Sequence, residues 1–477
     1  MITRKEILTG IFFSCVVGVC VNSYAQQGDN NLSVADTAAI NVAHQLTELR
    51  LLKKAQLDIE KFRKGDAFLQ VTDTDGRPLK NCKVTINQTS QDFLFGNLIE
   101  EIFRKGVKPA DTTVFINKFK ALFNFTELTL IKWAPYESEQ GKTQWQRLQA
   151  QLDWCKANGI TPKGHTLGWT HEAGTPRWLY PLSAEQINDL YKARIYNLVG
   201  GFKNQLTMWD VVNEPLTTIP WEKAVQDSLS FKGEIDAGFR YNTNGITLQQ
   251  TVPWVERSFK WAAQANPSGD FILNEFYVLA KPSIRQKMYD LVKELQQRNT
   301  PITGIGIQGH EPRETWFSPE ETIKTFDKFS ELGLPLHITE FTPQSSGKAI
   351  TGGWRYGLWT EAAQAEFATQ FYTLAFSYPT MKSIHWWGLS DRWIWLKGGG
   401  LLNGQFEPKP VYDRLMQLVK RDWMTRNLSN VTDSTGQLYI RGFGGDYDVE
   451  ITNANGQTKR TRHHLYEQQQ NVWKVSF

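Results

Sequence analysis

Cysteine is scarce: four occur in 477 residues, and two of them, Cys15 and Cys20, lie in the apolar start of the chain. The other two, Cys82 and Cys155, fall in segments of different character, which leaves no disulfide framework and suits two buried thiols. No Cys and His spacing has the form of a zinc site. His165 and His171 stand six apart with no carboxylate or thiol placed to complete a shell, so neither a metal nor a cofactor is expected. An excess of one charge is also missing. With 53 basic and 49 acidic side chains the net charge is +4, which draws neither nucleic acid nor an anionic membrane. Internal repeats and low-complexity tracts are absent, and 40% hydrophobic residues are enough for an ordinary core. Long apolar runs are missing except for Ile7–Val21, which is short for a membrane span. Arg4 and Lys5 precede that run and Ser23-Tyr24-Ala25 follows it, the pattern of a cleavable export signal over residues 1–25. A secreted or periplasmic protein is expected. A lipid anchor at Cys20 is disfavoured by the bulk of Val19.

Aromatic residues, by contrast, are plentiful, with 18 Trp and 15 Tyr. Most serve as core filler, but an indole also offers a flat apolar face and one N–H donor, which suits sugar rings. Beyond the signal, residues 26–91 read as a helix (Asp36 to Lys64) followed by a small β element, with strands at Ala67–Val71 and Lys83–Asn87 around the turn Asp75-Gly76-Arg77-Pro78. Residues 92–425 alternate strand-like runs with helical stretches. Eight such runs begin at Phe93, Phe123, Thr161, Met208, Phe271, Gly304, Pro335 and Ser383. Eight strands separated by helices predict an α/β fold, a (β/α)8 TIM barrel. A doubly wound sheet would also alternate, but the glycine-rich phosphate turn after its first strand is missing. Residues 426–477, with turn clusters at Thr432–Gly436, Gly442–Gly445 and Asn453–Gly456, read as a small C-terminal β domain.

Functional side chains of such barrels stand where strands end. The third run ends in His165 and Trp169, the fourth in Asn213-Glu214-Pro215 and the fifth in Asn274-Glu275. The sixth ends in Gln308-Gly309-His310, the seventh in Thr339-Glu340 and the eighth in Trp386-Trp387-Gly388. Polar and aromatic side chains thus replace aliphatic ones on six strands. A single strand-end Glu is more often a salt-bridge partner than a catalyst. A pair on strands four and seven, across the barrel mouth and set among His and Trp, is the equipment of glycoside hydrolysis: one carboxyl protonates the leaving oxygen and the other attacks the anomeric carbon. Glu275 is a third candidate, with Asn274 as the alternative inward residue.

The segments Trp209-Asp210-Val211-Val212-Asn213-Glu214-Pro215 and Ile338-Thr339-Glu340-Phe341 resemble the acid/base and nucleophile motifs of glycoside hydrolase family 10, the endo-1,4-β-xylanase family. Gly164-His165-Thr166-Leu167 with Trp169, Gly304–Gln308 with His310, and Trp387-Gly388, Asp391 and Trp395 followed by Pro408-Lys409-Pro410 also match, in order, from about Phe93 to Trp423. The resemblance implies Glu214 as acid/base, Glu340 as nucleophile and His310 as a hydrogen-bond donor to it. It further implies Lys132, His165, Asn213 and Gln308 as hydroxyl ligands, and Trp169, Trp387 and Trp395 among the residues that bind substrate. A cis peptide between His165 and Thr166 is implied as well. The sequence departs from the family in strand two. Counting back from Lys132-Trp133, Thr129 stands where the family has a sugar-binding Asn and Leu128 where it has Glu; Glu127 fits only with a one-residue shift. Strand five carries Asn274-Glu275-Phe276 in place of Asn-Asp-Tyr, and Thr170-His171 follows Trp169 in place of an immediate His.

The expected function is therefore retaining, endo-acting hydrolysis of β-1,4-xylosidic linkages in xylan or a related plant polysaccharide. The expected partner is a cell-wall polysaccharide or oligosaccharide, with no nucleic acid, no membrane insertion and a monomeric state. The alternatives are the same mechanism on another β-glycan, or a non-catalytic glycan-binding protein.

Overall fold

The structure is a computed structural model that describes residues 34–217, 220–221, 247–311, 314–352 and 354–477; the export signal expected over 1–25 lies outside them. A helix, Val34–Phe62, leads into β1 (Lys64–Thr72) and β2 (Lys83–Gln88). The next eight strands are β3 (Leu94–Asn97), β4 (Phe125–Leu128), β5 (Thr161–Gly168), β6 (Met208–Asn213), β7 (Asp270–Glu275), β8 (Gly304–Ile307), β9 (Leu336–Phe341) and β10 (Met381–Trp386). They close in the order β10-β3-β4-β5-β6-β7-β8-β9, every neighbouring pair parallel. The (β/α)8 barrel read from the sequence is present, each strand lying within or next to a predicted run. These strands are buried along almost their whole length, β9 at every position. That is why they appear in the sequence as short continuous apolar runs rather than alternating ones.

Some helices between the strands start at a side-chain cap. Ser183 and Gln186 form a reciprocal capping box on Ala184–Ile195, and Ser318 caps Pro319–Ser330 with proline in its first turn. Gly159, at φ 64°, ends Trp145–Asn158 in the left-handed conformation and turns the chain into β5.

The last strands are β11 (Leu428–Val431), β12 (Gln437–Phe443), β13 (Gly445–Thr452), β14 (Thr458–Leu465) and β15 (Gln470–Ser476). The sequence suggests a small N-terminal β element and a separate C-terminal β domain. In the structure the two pair with each other. β1 lies between β12 (antiparallel) and β15 (parallel), and β2 lies between β11 and β13 in a second sheet that ends on β14. The alternating burial of β1, β2 and β15 turns one face of each inward. Ala67, Leu69, Val71, Val84, Ile86, Ile440, Val449, Ile451, Trp473 and Val475 form a core distinct from that of the barrel. Cys82 is free and buried in this core, and Cys155 is free and buried against the barrel.

Candidate active site

One end of the barrel, where the strands terminate, holds a cleft of about 540 Å³. Lys132, His165, Trp169, Asn213, Glu214, Gln308, His310, Glu340, Trp387 and Trp395 all line it. The residues picked out along the sequence are thus brought together in one place. His171, Ala173, Phe276, Tyr277 and Glu311 complete the wall. The cleft reaches down to two carboxylates, Glu214 just past β6 and Glu340 within β9, both buried.

Glu214 takes a left-handed backbone conformation, φ 57°, uncommon for a residue with a side chain and costing of order 1–3 kcal/mol. Its N–H donates to the Asn274 carbonyl at 2.9 Å, which fixes the turn. Among the described residues, three donors reach its carboxylate. Trp169 Nε1 is 2.9 Å from Oε2, and Gln308 Nε2 and Asn213 Nδ2 are 3.0 and 3.1 Å from Oε1. Asn213 and Gln308, implied as hydroxyl ligands, thus direct their amide N–H groups at Glu214 in the free protein.

Glu340 accepts from His310 Nε2 at 2.8 Å and from Asn274 Nδ2 at 2.9 Å. His310 is oriented in turn by Thr342. Asn274 is the bridge between the two carboxylates: its Nδ2 also reaches Asn213 Oδ1 at 2.8 Å, and its Oδ1 accepts from Thr339 at 2.7 Å. Of the pair Asn274 and Glu275, therefore, Asn274 joins the hydrogen-bond network of the two cleft carboxyls. Glu275 is buried beneath it and accepts the backbone N–H groups of Leu216 and Phe276; burial pushes its carboxyl well up.

The two cleft carboxyls are tuned in opposite directions. Burial pushes Glu214 up to about 7, against the pull of its hydrogen-bond donors. Glu340 is buried too, which by itself would raise it. The neighbouring His165 imidazole, the His310 hydrogen bond and the Lys132 ammonium outweigh burial and hold it below the ordinary carboxylate value. Lys132 is lowered by its own burial, with the carboxylates around it acting the other way.

His165 lies within β5, just before the shift in its register with β6, and its peptide bond to Thr166 is cis, as the resemblance implies. Its Nδ1 donates to Asp210 Oδ2 at 2.9 Å. Lys163 Nζ lies 2.8 Å from both Asp210 and Glu127 deeper in the barrel. Glu127, His165 and Asp210 are close enough to suggest a metal cluster, but the cation among these carboxylates is the Lys163 ammonium. Asp210 is held low because Lys163 and the His165 hydrogen bond outweigh its burial. The rings of His165 and His310 meet Trp387 edge-on at 5.1 and 5.9 Å, and the more exposed Trp395 meets His310 at 5.2 Å. Lys132 Nζ sits 5.0 Å from the centre of the Trp169 ring, on which the His171 ring is stacked at 4.5 Å.

Strand two differs from the alignment considered above. Glu127 does not reach the rim; it is fully buried with Lys163. Leu128 is packed into the barrel's outer core. β4 ends at Leu128, and a 3₁₀ turn, Thr129–Ile131, follows. Thr129 donates through both N and Oγ1 to Glu100 Oε1 at 2.6 Å. The carboxylate at this rim therefore comes from the turn after β3. Asp210, Glu100 and His171 are not read from the sequence as site residues, and Asn274 is read only as the alternative to Glu275. For Asp210 and Lys163 the available signal was a charge inside an otherwise buried strand, which requires a partner.

A family model, Glycosyl hydrolase family 10, matches residues 88–418. Endo-1,4-beta-xylanase 1 of Arabidopsis thaliana is 25% identical over 420 residues, covering 87% of this chain and 39% of its own length. Endo-1,4-beta-xylanase B of Thermotoga neapolitana is 26% identical over 320 residues, covering 65% and 84%. The chain therefore spans about two fifths of the plant relative. A crystal structure of xylanase 10B from Thermotoga petrophila RKU-1 in complex with xylobiose superposes with a TM-score of 0.54 at 20% identity, over 70% of this chain and 98% of that one, a likeness of fold. With the barrel, the paired strand-end carboxylates and a family match over most of the chain, this protein belongs to glycosyl hydrolase family 10.

Proposed function

We propose that the cleft cleaves β-1,4-xylosidic linkages within xylan or a related plant polysaccharide, with retention of anomeric configuration. The observation that carries this reading is the pair of buried carboxyls, linked through Asn274 and Asn213, whose proton affinities are pushed apart. Glu340, ionised, attacks the anomeric carbon and forms a glycosyl-enzyme ester. Glu214 gives its proton to the departing glycosidic oxygen. In the second step Glu214, now a base, takes a proton from water as the water oxygen displaces Glu340, and both groups return to their starting states. Asn213 is placed to turn from Glu214 to a sugar hydroxyl as charge develops on the ring, with Lys132, His165 and Gln308 around the same sugar and the faces of Trp169, Trp387 and Trp395 against it. An export signal over residues 1–25 suits a substrate too large to enter a cell.

The same chemistry on a branched or differently linked β-glycan is the second reading. It is favoured by the rim of β4, where Thr129 and Glu100 stand in place of a Glu-Asn pair. The test is to follow early hydrolysis of unsubstituted and decorated xylan by ¹H NMR. The β-anomer appearing first supports retention, and the α-anomer first overturns it. Release of reducing ends from mixed-linkage glucan but not from xylan selects the second reading.

A further inference from the structure

On the flank of the barrel lies a second cavity, about 510 Å³ against about 540 Å³ for the cleft. It opens between the segment from Trp133 to Trp145 and the helix Ala184–Ile195, which continues as a π-helical turn, Tyr196–Gly200. Such turns are rare and often stand at functional sites. Rings of Trp133, Tyr136, Trp145 and Tyr196 contribute to the wall. Trp145 is 38% exposed although it is stacked on Phe202 at 3.9 Å. Its ring rests on Gly201, where a Cβ would come within 2.5 Å of the indole.

Among these rings lies Arg194, only 6% exposed. Its Nη2 donates to the Ile131 carbonyl and its Nε to that of Leu167. Nη1 has no hydrogen-bond partner, and among the described residues no carboxylate pairs with this guanidinium. Glu137, the acid of the cavity wall, is already engaged by Trp133 Nε1 at 3.0 Å and the Gly141 N–H at 2.7 Å. A buried guanidinium without a paired anion is costly; burial pushes it down to about 10 although Tyr136, Glu137 and Tyr191 act the other way, and the rings of Trp133 and Tyr136 each face it at 5.4 Å. A cavity whose wall combines aromatic rings with a buried cation that keeps one unpartnered N–H group, at Nη1, fits a ring that carries a carboxylate.

We propose that this flank cavity is a second saccharide site, taking a uronic acid unit of a decorated polysaccharide with its carboxylate on Arg194. The choice of a saccharide rests on the function proposed for the cleft. Arg194 holds the carbonyls of Ile131 and Leu167, one residue before Lys132 and two before Trp169. A chain docked there would thus sit against the strand ends that carry the cleft.

The test uses the full chain labelled with 5-fluorotryptophan, in a Glu340→Gln background that keeps ligands intact. The ¹⁹F resonance of Trp145 is identified by its loss in Trp145→Phe. An aldouronic xylo-oligosaccharide should shift that resonance saturably, and a neutral one of equal length should bind at least about tenfold more weakly. Arg194→Gln should abolish the shift. Asn197→Asp, at an exposed position of the rim, should weaken acidic binding about threefold or more without altering neutral binding. Equal binding of the two oligosaccharides, no shift at all, or acidic binding untouched by Asn197→Asp would overturn the site. Hydrolysis by the wild-type chain is measured separately, so loss of the flank site and loss of the cleft reading are distinguished.

Discussion

The two sides of the cleft are built under very different constraint. From β5 to β9 each reactive or binding side chain is held by another: Trp169, Asn213 and Gln308 on Glu214, Asn274 and His310 on Glu340, Asp210 on His165. At the end of β4 a single carboxylate, Glu100, supports a short Thr129 hydroxyl, and Leu128 is withdrawn into the core. The two cleft carboxyls are preorganised by a closed network, whereas the edge at the end of β4 is shaped by few contacts and can change without disturbing that network.

The sharpest way to break this contrast is through the network itself. Glu340→Ala should lower kcat by about 10⁴-fold or more, since no other carboxylate can form the ester. Glu214→Ala should lose about 10²–10⁴-fold on substrates with poor leaving groups and far less on activated aryl glycosides, with azide restoring turnover. Equal losses on all leaving groups would remove the division of roles.

Asn274→Ala should come next. Removing one hydrogen bond to a charged group costs about 1.5–3 kcal/mol, roughly 10–150-fold in kcat/KM. The same bond favours ionised Glu340, so its loss should also move the acid limb of the pH–rate profile upward. An unmoved limb would show that the bridge does not tune the nucleophile.

Wild-type kcat/KM should fall as pH rises through about 7, where Glu214 loses the proton it must donate. Trp169→Phe removes a donor to the ionised form of Glu214. The basic limb should then shift upward, with only a few-fold loss at its maximum.

The smallest effect belongs to the other side. Thr129→Asn should raise kcat/KM on unsubstituted xylan about 2- to 13-fold, the value of one neutral hydrogen bond. A monosaccharide aryl glycoside that does not reach this edge should be unaffected. No gain on xylan would mean that Glu100 already supplies what the edge needs.

Legibility in the sequence follows the same division. The eight barrel strands could be read because strands buried on both faces are short apolar runs, and the residues that line the cleft because polar side chains interrupt those runs at their ends. Glu100 could not be read: it lies in a turn with no periodicity, and only the fold brings it to Thr129. Glu127 is misleading in a linear alignment because its partner, Lys163, lies on the neighbouring strand. The pairing of β1 with β15 and of β2 with β13 was hidden for a simpler reason. Alternating patterns predict strands and their faces, but nothing local tells two segments at opposite ends of the chain that they are neighbours.

That shared β sandwich sets a timetable for the chain as it is made. β1 and β2 leave the ribosome early, yet β12, β13 and β15, which cover their backbones, follow roughly 350 residues later. At about 5–20 residues per second the first two strands wait on the order of 20–70 s with apolar faces and unpaired edges. During that interval the barrel between them can close, and the strands completed last then act as a latch fastened over a finished barrel. A chain cut short before Gln437 would keep every residue that lines the cleft and still leave Ala67, Leu69, Val71, Val84 and Ile86 uncovered, so such a truncation should be recovered mainly as aggregate.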